Sequence, residues 1–274
     1  MALKPWPAPG KLNLFLHILG RRGDGYHELE TVFQFIDLGD TLFFRKRSDG
    51  RIRPLYRLPG VPPEGDLVLK AARLLQRASS TPWGADIGLV KRLPMGAGLG
   101  GGSSDAATTL VALNEIWELG WDRAALARLG LTLGADVPVF VEGKAAFARG
   151  VGEKLTPIAL PEPFYGIVVP PCPVSTAEIF ADPALTRNTP PLKIERFQTG
   201  MGRNDCQSVV CRLYPQVAEA LAWLSGHTDA RLTGTGGAVF GPFPSREEGE
   251  RVMSRCPWKG YVVRGMNLSP LYHG

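Results

Sequence analysis

The sequence predicts an α+β protein built from two domains, residues 1–155 and 156–274. The chain has 274 residues, whereas a typical domain has about 150. Segments with strand-like and helix-like spacing alternate along it. Residues 156–163 contain three prolines, which interrupt regular structure and mark the boundary between the two halves. A content of 44% hydrophobic and 21% charged residues is typical of a globular protein with a buried core.

In the first half, β-branched and aromatic residues predict strands over residues 12–18, 29–36, 41–44 and 85–90. Apolar residues at helical spacing predict one helix over 67–77 and another from the glycine-rich run to about residue 118. Asp122 is a candidate N-cap for a third helix, which we expect to run to about residue 129 and to end at Gly130.

The densest basic run lies between residues 45 and 57, and Asp49-Gly50 predicts a hairpin turn within it. No nucleic-acid-binding motif accompanies these cations. We therefore interpret them as the solvated face of a hairpin that protects a sheet edge. The cations are Arg45, Lys46, Arg47, Arg51, Arg53 and Arg57.

In the second half, strands are predicted over residues 165–169, 239–243 and 261–263, and helices over 215–224 and 245–253. Strands and helices alternate here as well. This order favours a second layer of helices on a sheet, of about 110 residues.

The charge pattern and the cysteines limit the classes of partner. A net charge of +5 favours a partner that carries phosphate groups. No stretch approaches the roughly 18 apolar residues of a membrane span, and no secretory signal is visible, so we expect neither a membrane nor a nucleic acid as partner. The cysteines lack metal-ligand spacing and predict reduced thiols in a cytoplasmic protein; they are Cys172, Cys206, Cys211 and Cys256.

The most informative segment is Pro-Met-Gly-Ala-Gly-Leu-Gly-Gly-Gly-Ser-Ser-Asp at residues 94–105, which a predicted helix follows at once. Glycines let backbone N–H groups converge on an anion because no Cβ blocks the approach. The positive end of the helix dipole adds to this attraction, and Ser103 and Ser104 are expected at the N-cap. The segment is predicted to bind phosphate, since a flexible linker would not be flanked by a strand and a strong helix.

We compared the segment with the sequence motifs of known phosphate-binding loops. No lysine follows the glycines, which excludes a Walker A loop, and the signatures of protein kinases are missing. Residues 96–101 do satisfy G-x-G-x-x-G, so an NAD-dependent oxidoreductase is an alternative. However, residues 91–94 separate the motif from its strand, which does not suit a dinucleotide-binding unit.

Two charged residues stand alone among apolar neighbours. Lys11 opens an apolar run, and Asp136 lies in Gly-Ala-Asp-Val-Pro-Val-Phe. Because a buried cation requires a partner, one interpretation is that the two residues form an ion pair. The alternatives are a lysine that reaches solvent from a strand end and an aspartate that caps a helix.

Residues 94–104 resemble the central motif of the GHMP kinases, the galacto-, homoserine, mevalonate and phosphomevalonate kinases. Pro9-Gly-Lys-Leu-Asn-Leu resembles the amino-terminal motif of that family, and Leu232-Thr-Gly-Thr-Gly-Gly-Ala-Val-Phe resembles its carboxy-terminal glycine motif. The resemblance implies a first half like ribosomal protein S5 domain 2, a ferredoxin-like second half, and an ATP-dependent kinase.

Residues 23–29, 131–140 and 204–206 resemble one branch of this family. That branch phosphorylates the C2 hydroxyl of 4-diphosphocytidyl-2-C-methyl-D-erythritol in the non-mevalonate route to isoprenoids. The resemblance implies ATP, Mg²⁺ arriving with the nucleotide, a small-molecule substrate with a cytidine diphosphate group, and a monomer or weak homodimer. The alternatives are another GHMP kinase and a catalytically silent nucleotide sensor, although Lys11 and Asp136 are both present. Asp66 departs from the asparagine that the family often has near adenine.

The resemblance also implies roles for individual residues. Asp136 would orient or deprotonate the hydroxyl during direct phosphoryl transfer, and Lys11 would assist it. Tyr26 and Phe180 would sandwich the cytosine and His27 would hydrogen-bond its edge, while Asn13 would reach the substrate near the transferred group. No side chain is assigned as a metal ligand. The residues implied to bind ATP are Pro94, Met95, Gly96, Ala97, Gly98, Leu99, Gly100, Gly101, Gly102, Ser103 and Ser104.

Overall fold

The computed structural model of the protein describes residues 3–62, 64–194, 197 and 202–272. Within these ranges the chain forms ten β-strands, eight α-helices and one 3₁₀ turn. The α+β class predicted from the sequence is confirmed. None of the described helices is both long and apolar enough to cross a bilayer. All four cysteines are free thiols, as predicted.

The first half of the chain contains six strands and four helices. The strands are β1 (Pro5–Arg21), β2 (His27–Arg47), β3 (Ile52–Pro54), β4 (Gly84–Val90), β5 (Ala146–Gly150) and β6 (Lys154–Pro157). The helices are α1 (Leu67–Ser79), α2 (Gly101–Ile116), α3 (Arg123–Leu131) and α4 (Val137–Glu142).

The second half contains the remaining elements. Its strands are β7 (Phe164–Val169), β8 (Arg231–Leu232), β9 (Val239–Phe243) and β10 (Lys259–Met266). Its helices are α5 (Thr176–Ala181), α6 (Gln207–Leu213), α7 (Pro215–Ser225) and α8 (Arg246–Met253), and the 3₁₀ turn is Pro270–Tyr272.

Side-chain caps explain where three of the predicted helices begin. Asp66 accepts hydrogen bonds from the amides of residues 68 and 69, and so starts α1. Asp122 caps α3 as predicted, and Ser245 caps α8. Each cap satisfies N–H groups that have no acceptor inside the helix. The predicted helices over 67–77, 215–224 and 245–253 are confirmed to within about two residues, which is the usual uncertainty of helix ends.

Strand β2 is the longest element and holds the sheet together. Along one edge it pairs with β1, and along the other with β5, β10 and β4 in turn. The strands predicted over 29–36 and 41–44 are therefore one strand. A bulge between Pro9 and Gly10 shifts the register of β1 beside this stretch. Gly39 fits there because a Cβ would lie 2.6 Å from the Ala8 carbonyl oxygen.

The hairpin predicted around Asp49-Gly50 is wrong. The residues do form a turn, but β3 pairs in parallel with β4 and not with β2. The reason is that β4 already occupies the edge of β2 over residues 41–47. β3 is nevertheless the outermost strand of the path β3-β4-β2-β10-β7-β9-β8. Two of the cations, Arg45 and Arg47, bind the buried carboxylate of Asp86.

A shared apolar layer joins the two halves beneath the glycine-rich segment. It includes Leu12 of β1, residues that flank the glycines such as Leu93 and Leu99, and Phe240 of β9. The strands of both halves also meet directly, since β10 pairs with β2 at residues 265–266. The division at residues 155/156 stays a prediction.

Candidate active site

A cleft of about 920 Å³ runs across the junction of the two halves. Its walls come from β1, the start of β2, the loop before α2, the residues before α4, and α5. A second pocket of about 230 Å³ lies beside it and is lined by Leu58, Val61 and Asp66 from around the start of α1 and by the same loop. The loop of residues 94–102, which we call the glycine loop, therefore borders both cavities.

The backbone of the glycine loop requires glycine at alternate positions. Gly96, Gly98 and Gly100 have φ values of 70°, 82° and 73°, a region that other residues rarely adopt. Steric space is also missing. A Cβ on Gly98 would lie 2.5 Å from the Thr233 carbonyl oxygen, and one on Gly100 would lie 3.0 Å from Cε of Lys11.

The glycine loop is held from two sides. The amide of Lys11 donates to the Leu99 carbonyl at 3.0 Å, and the amide of Ala238 donates to the Ala97 carbonyl at 3.1 Å. Gly236 of the carboxy-terminal glycine motif packs so closely that a Cβ would lie 2.2 Å from the Gly98 nitrogen. All three sequence motifs thus meet in one place.

Helix α2 begins directly at the end of this loop. Its N-cap is Gly100, which provides no side-chain hydrogen bond. Ser103 and Ser104 lie within the first turn, so their predicted place at the N-cap is wrong; the left-handed glycine takes that position. The first amide with an acceptor is that of Ser104, which donates to the Gly100 carbonyl. The amides of residues 101–103 have no acceptor among the described residues, and the dipole of a 16-residue helix lies behind them.

Most residues implied to bind ATP border the two cavities. Ser103 lines the large cleft, together with all five glycines of the loop. Ser104 lines neither cavity; it is fully buried, and its hydroxyl has no hydrogen-bond partner among the described residues. The residues that line the smaller pocket include Pro94, Met95, Gly96, Ala97, Gly98, Leu99, Gly100, Gly101 and Gly102.

Lys11 and Asp136, which lie 125 positions apart in the sequence, form an ion pair in the large cleft. Nζ of Lys11 lies 3.2 Å from Oδ2 of Asp136. The lysine side chain is almost fully buried, whereas 32% of the aspartate side chain is exposed. Nζ also donates to Oδ1 of Asn13 at 2.5 Å and to the Gly98 carbonyl at 3.0 Å. The buried ammonium therefore has three oxygen partners, which offset its loss of hydration.

The amide of Asn13 is fixed in one orientation. Its Oδ1 accepts from Lys11, and its Nδ2 donates to the Thr31 hydroxyl at 2.9 Å. Its backbone N–H donates to the Thr233 hydroxyl, also at 2.9 Å. Asn13 thus keeps Lys11 in place and lines the cleft. Thr233 was not singled out from the sequence, although it lies inside the carboxy-terminal glycine motif.

Asp136 stands at the N-cap position of α4, but its side chain makes no capping hydrogen bond. Its carboxylate therefore remains available to the cleft. Oδ2 contacts Lys11, and Oδ1 has no hydrogen-bond partner among the described residues. Asp136 is thus the N-cap residue of α4 by its position in the backbone, but its side chain forms the ion pair with Lys11 instead of a cap.

The opposite end of the cleft is aromatic. The rings of His27 and Phe180 stack with centroids 4.8 Å apart and planes 22° apart. Tyr26, which directly precedes β2, is 64% exposed and lines the same cleft. The three aromatic residues predicted to bind the substrate therefore line the same cleft, and the Phe180 ring stacks on the imidazole of His27.

Arg187 links these aromatic residues and was missed from the sequence. Its Nε donates to Nε2 of His27 at 3.1 Å, and its Nη2 donates to the Phe180 carbonyl at 2.9 Å. Burial lowers the pKa of His27, and the positive charges of Arg187 and Arg21 lower it further. No local motif signals this contact, because 160 positions separate the two side chains.

A buried charge cluster flanks the glycine loop. Lys91 lies just before the loop and bridges Asp40 at 2.5 Å and Asp105 at 2.9 Å. Asp40 also accepts from the amides of residues 92 and 93, which anchors the entry to the loop. Burial raises the pKa of Asp105 to about 7, although Lys91 opposes this shift. Lys91 and Asp105 border the smaller pocket.

The dinucleotide-binding alternative does not match this backbone. Residues 91–100 separate β4 from α2, and β4 pairs antiparallel with β2 and in parallel only with the three-residue strand β3. A dinucleotide site needs a glycine turn directly between a parallel strand and its helix.

Asp66 stands where the GHMP kinases often have asparagine near the adenine. Its carboxylate caps α1, and the residue borders the smaller pocket.

Both halves of the chain match known domains. Residues 66–144 match the N-terminal domain of the GHMP kinases, and residues 190–260 match their C-terminal domain. A crystal structure of 4-(cytidine 5′-diphospho)-2C-methyl-D-erythritol kinase superimposes with a TM-score of 0.84 at 34% identity, covering 96% of this chain and 99% of that one. A mevalonate kinase structure superimposes with a TM-score of 0.72 at 16% identity, covering 96% and 99%. This second likeness shows the fold alone.

Relatives in sequence are closer still. The 4-diphosphocytidyl-2-C-methyl-D-erythritol kinase of Pseudomonas paraeruginosa is 59% identical over 268 residues, 97% of this chain and 95% of that protein. The enzyme of the same description from Pseudomonas fluorescens is 57% identical over the same shares. Because this similarity extends along nearly the whole chain, the protein is a small-molecule kinase that belongs to the GHMP kinases and, within them, to the 4-diphosphocytidyl-2-C-methyl-D-erythritol kinase family.

Proposed function

We propose that this kinase transfers the γ-phosphoryl group of ATP to the C2 hydroxyl of 4-diphosphocytidyl-2-C-methyl-D-erythritol, giving the 2-phosphate. The reaction would supply the non-mevalonate route to isopentenyl diphosphate. The single observation that carries the proposal is the Lys11–Asp136 ion pair at the glycine loop, in a cleft whose other end is aromatic. One end offers groups for phosphoryl transfer and the other offers stacking surfaces for a base.

The nucleotide is expected along the glycine loop. The unbonded amides of residues 101–103 and the dipole of α2 would bind phosphate oxygens of ATP. The apolar part of the smaller pocket, around Leu58 and Val61, suits the flat face of adenine. The γ-phosphoryl group would then project toward Lys11, which contacts the same loop through the Gly98 carbonyl.

The reaction is a direct transfer between two oxygens. The C2 oxygen forms a bond to the γ-phosphorus, the bond from that phosphorus to the β,γ-bridging oxygen breaks, and ADP leaves. Oδ1 of Asp136, which has no partner among the described residues, would orient the hydroxyl and accept its proton. The ammonium of Lys11 would face the charge on the transferred group. Since the transition state is loose, positioning and charge neutralisation contribute more than early proton removal.

The substrate base is expected at the aromatic end. Tyr26 and Phe180 would hold the cytosine between them, and His27 would donate to its edge. Base stacking on aromatic side chains contributes about 1–3 kcal/mol for each base. This end of the cleft would therefore provide affinity, and the polar edge of His27 would provide selectivity.

Magnesium is expected to enter with the nucleotide. The described residues contain no group of three or more His, Cys, Asp or Glu side chains that could hold a metal ion. Mg²⁺ commonly keeps several waters and binds substrate phosphates with few protein ligands, so the site is compatible with it. Its chemistry there would be to neutralise charge on the phosphates. Lys11 and the loop amides do the same from the protein side.

The test is a phosphoryl-transfer assay with ATP, Mg²⁺ and a panel of alcohols, followed by phosphorus NMR. The panel contains 4-diphosphocytidyl-2-C-methyl-D-erythritol, the methylerythritol without the cytidine diphosphate, mevalonate and homoserine. We expect a new phosphate monoester only with the cytidylated alcohol, and its loss in Lys11→Ala. Turnover of another alcohol at a higher kcat/KM would instead support a different GHMP kinase activity. Equal background in the wild type and in Lys11→Ala would support a nucleotide sensor.

A further inference from the structure

Arg187 makes four hydrogen bonds at the aromatic end of the cleft. Nε donates to Nε2 of His27, and the two Nη groups donate to the carbonyl oxygens of Phe180, Asp182 and Leu185. The guanidinium thus fixes the imidazole on one side and, on the other, the backbone that carries Phe180. The imidazole of His27 and the backbone at Phe180 cannot shift without breaking a hydrogen bond to Arg187.

The hydrogen bond from Arg187 determines which nitrogen of His27 carries the proton. A guanidinium has only donors and stays charged at any ordinary pH. Nε2 of His27 must therefore accept, which requires that it carries no proton. A neutral imidazole has one donor and one acceptor nitrogen, so the proton lies on Nδ1. The described residues give Nδ1 no hydrogen-bond partner, and His27 lines the cleft.

This tautomer distinguishes the two common pyrimidines. The ring N3 of cytosine is an acceptor, whereas N3 of uracil carries a proton and is a donor. An imidazole that presents an N–H to the base edge bonds cytosine N3 and opposes uracil N3–H donor to donor. Sites that read a base by such a hydrogen bond reject the mismatched analogue because one buried polar group is left unpaired.

We propose that Arg187 is the positioning residue that makes the enzyme select cytosine over uracil, by holding His27 as the neutral imidazole with its proton on Nδ1. The inference rests on the proposed function, since it requires the pyrimidine to lie at this end of the cleft. The inference adds Arg187, which is not one of the three aromatic residues, to the residues that determine selectivity for the pyrimidine base.

The electrostatics at His27 agree with this assignment. Burial disfavours the imidazolium, and the charges that face the ring, Arg187 and Arg21, lower the pKa of His27 in the same direction. The imidazole is therefore neutral at pH 7. Protonation would place a second N–H opposite the Nε–H of Arg187.

The experiment combines two measurements on the full chain. Heteronuclear NMR of the imidazole nitrogens reports the tautomer and the pKa of His27 in the ligand-free enzyme. Steady-state kinetics compare kcat/KM for the cytidine diphosphate substrate with its uridine diphosphate analogue. The variants are Arg187→Met, which removes charge and donors at similar length, and Arg187→Lys, which keeps a cation. The matched control is Arg212→Met, because Arg212 binds Asp182 nearby at 2.6 Å but makes no hydrogen bond to His27 among the described residues.

We expect the proton on Nδ1 in the wild type and in Arg212→Met. In Arg187→Met the Nε2–H tautomer should appear, and the pKa of His27 should rise. The cytidine-to-uridine ratio of kcat/KM should fall by about tenfold or more, the loss of one hydrogen bond, through KM for the cytidine substrate rather than kcat. Arg187→Lys should lose less of the ratio than Arg187→Met.

Two results would overturn the inference: a proton on Nε2 in the wild type, or an unchanged base ratio in Arg187→Met. The NMR measurement needs no substrate and no variant, so it decides even where Arg187→Met folds poorly. Failure of the proposed function has a different signature. In that case the wild type would phosphorylate neither pyrimidine substrate, whatever the tautomer of His27.

Discussion

Replacing Asp136 by asparagine separates the chemical role of this carboxylate from its role in stability. Asparagine keeps the shape of the side chain and one oxygen that can accept from Lys11, but it loses the negative charge and the ability to take a proton. We expect kcat to fall by about 10²- to 10⁴-fold, the usual contribution of a general base. The KM for ATP should stay close to that of the wild type, because the amides of the glycine loop are unchanged.

The expected stability change follows from the geometry of the pair. Two unit charges 3.2 Å apart attract each other by about 5 kcal/mol at an effective dielectric constant of about 20. Desolvation of the buried lysine offsets much of this. Asp136 is one-third exposed, and Lys11 keeps Asn13 and the Gly98 carbonyl as acceptors. We therefore expect the free energy of unfolding to fall by only about 1–2 kcal/mol, a decrease in Tm of roughly 2–8 °C.

The assay is steady-state ADP release with the cytidylated substrate, paired with urea unfolding of the same preparations. The matched control is Asp122→Asn, since Asp122 caps α3 away from the cleft and asparagine caps equally well. It should retain wild-type kcat and stability. A kcat for Asp136→Asn within threefold of the wild type would remove this carboxylate from the chemistry. A normal kcat with a raised KM for ATP would contradict the assigned geometry of the two cavities.

Three further changes test the surroundings of the site. Gly98→Ala places a methyl group against the Thr233 carbonyl at a left-handed φ. We expect KM for ATP to rise at least tenfold and the free energy of unfolding to fall by about 2 kcal/mol. The control is Gly23→Ala, where the methyl group enters open space and should change neither quantity. The Asp105 carboxyl has a pKa raised to about 7 against an ordinary 3.8, so the folded state binds its proton more tightly than the unfolded state, and this stabilising contribution disappears as pH rises from about 4 through 7. Asparagine does not titrate, so the stability of Asp105→Asn does not fall in this way. Measured by urea unfolding, its free energy of unfolding relative to that of the wild type should increase from pH 5 to pH 8. A difference between the two proteins that stays constant over this pH range would refute the raised pKa of Asp105. Ser245→Ala removes the cap of α8 and should cost about 1 kcal/mol in urea unfolding with kcat unchanged.

The sequence predicted those parts of the site that can be recognised from residues close together in the chain. The glycines at alternating positions indicated a phosphate loop, because few other backbones need them. Lys11 and Asp136 were conspicuous because each is a charge among apolar residues, and burial requires such charges to be paired. The same reasoning identified Asp122 as a helix cap. In each case the explanation lies within a few residues of the chain.

Features that depend on distant segments could not be predicted in this way. The parallel pairing of β3 with β4 depends on β2 having its edge already occupied. The contact of Arg187 with His27 spans 160 positions, and nothing near Arg187 marks it among the other arginines. Ser103 and Ser104 resembled N-cap residues, yet the positive φ of Gly100 starts the helix earlier. Long-range packing decides the first two, and the backbone conformation of one glycine decides the third.

The hydrogen bond between Asn13 and Thr233 has a consequence for how the enzyme is made. The two residues lie 220 positions apart, and the ribosome adds about 5–20 residues each second. Roughly 10–45 s of translation must therefore pass after Asn13 emerges before its partner exists. In the later part of that interval, once residues 94–102 have been added, the nascent chain has the lysine and the glycine loop but lacks Gly236, which later packs against the loop. Nucleotide capture should begin only near the end of synthesis, so a stalled or truncated product would be inert toward ATP.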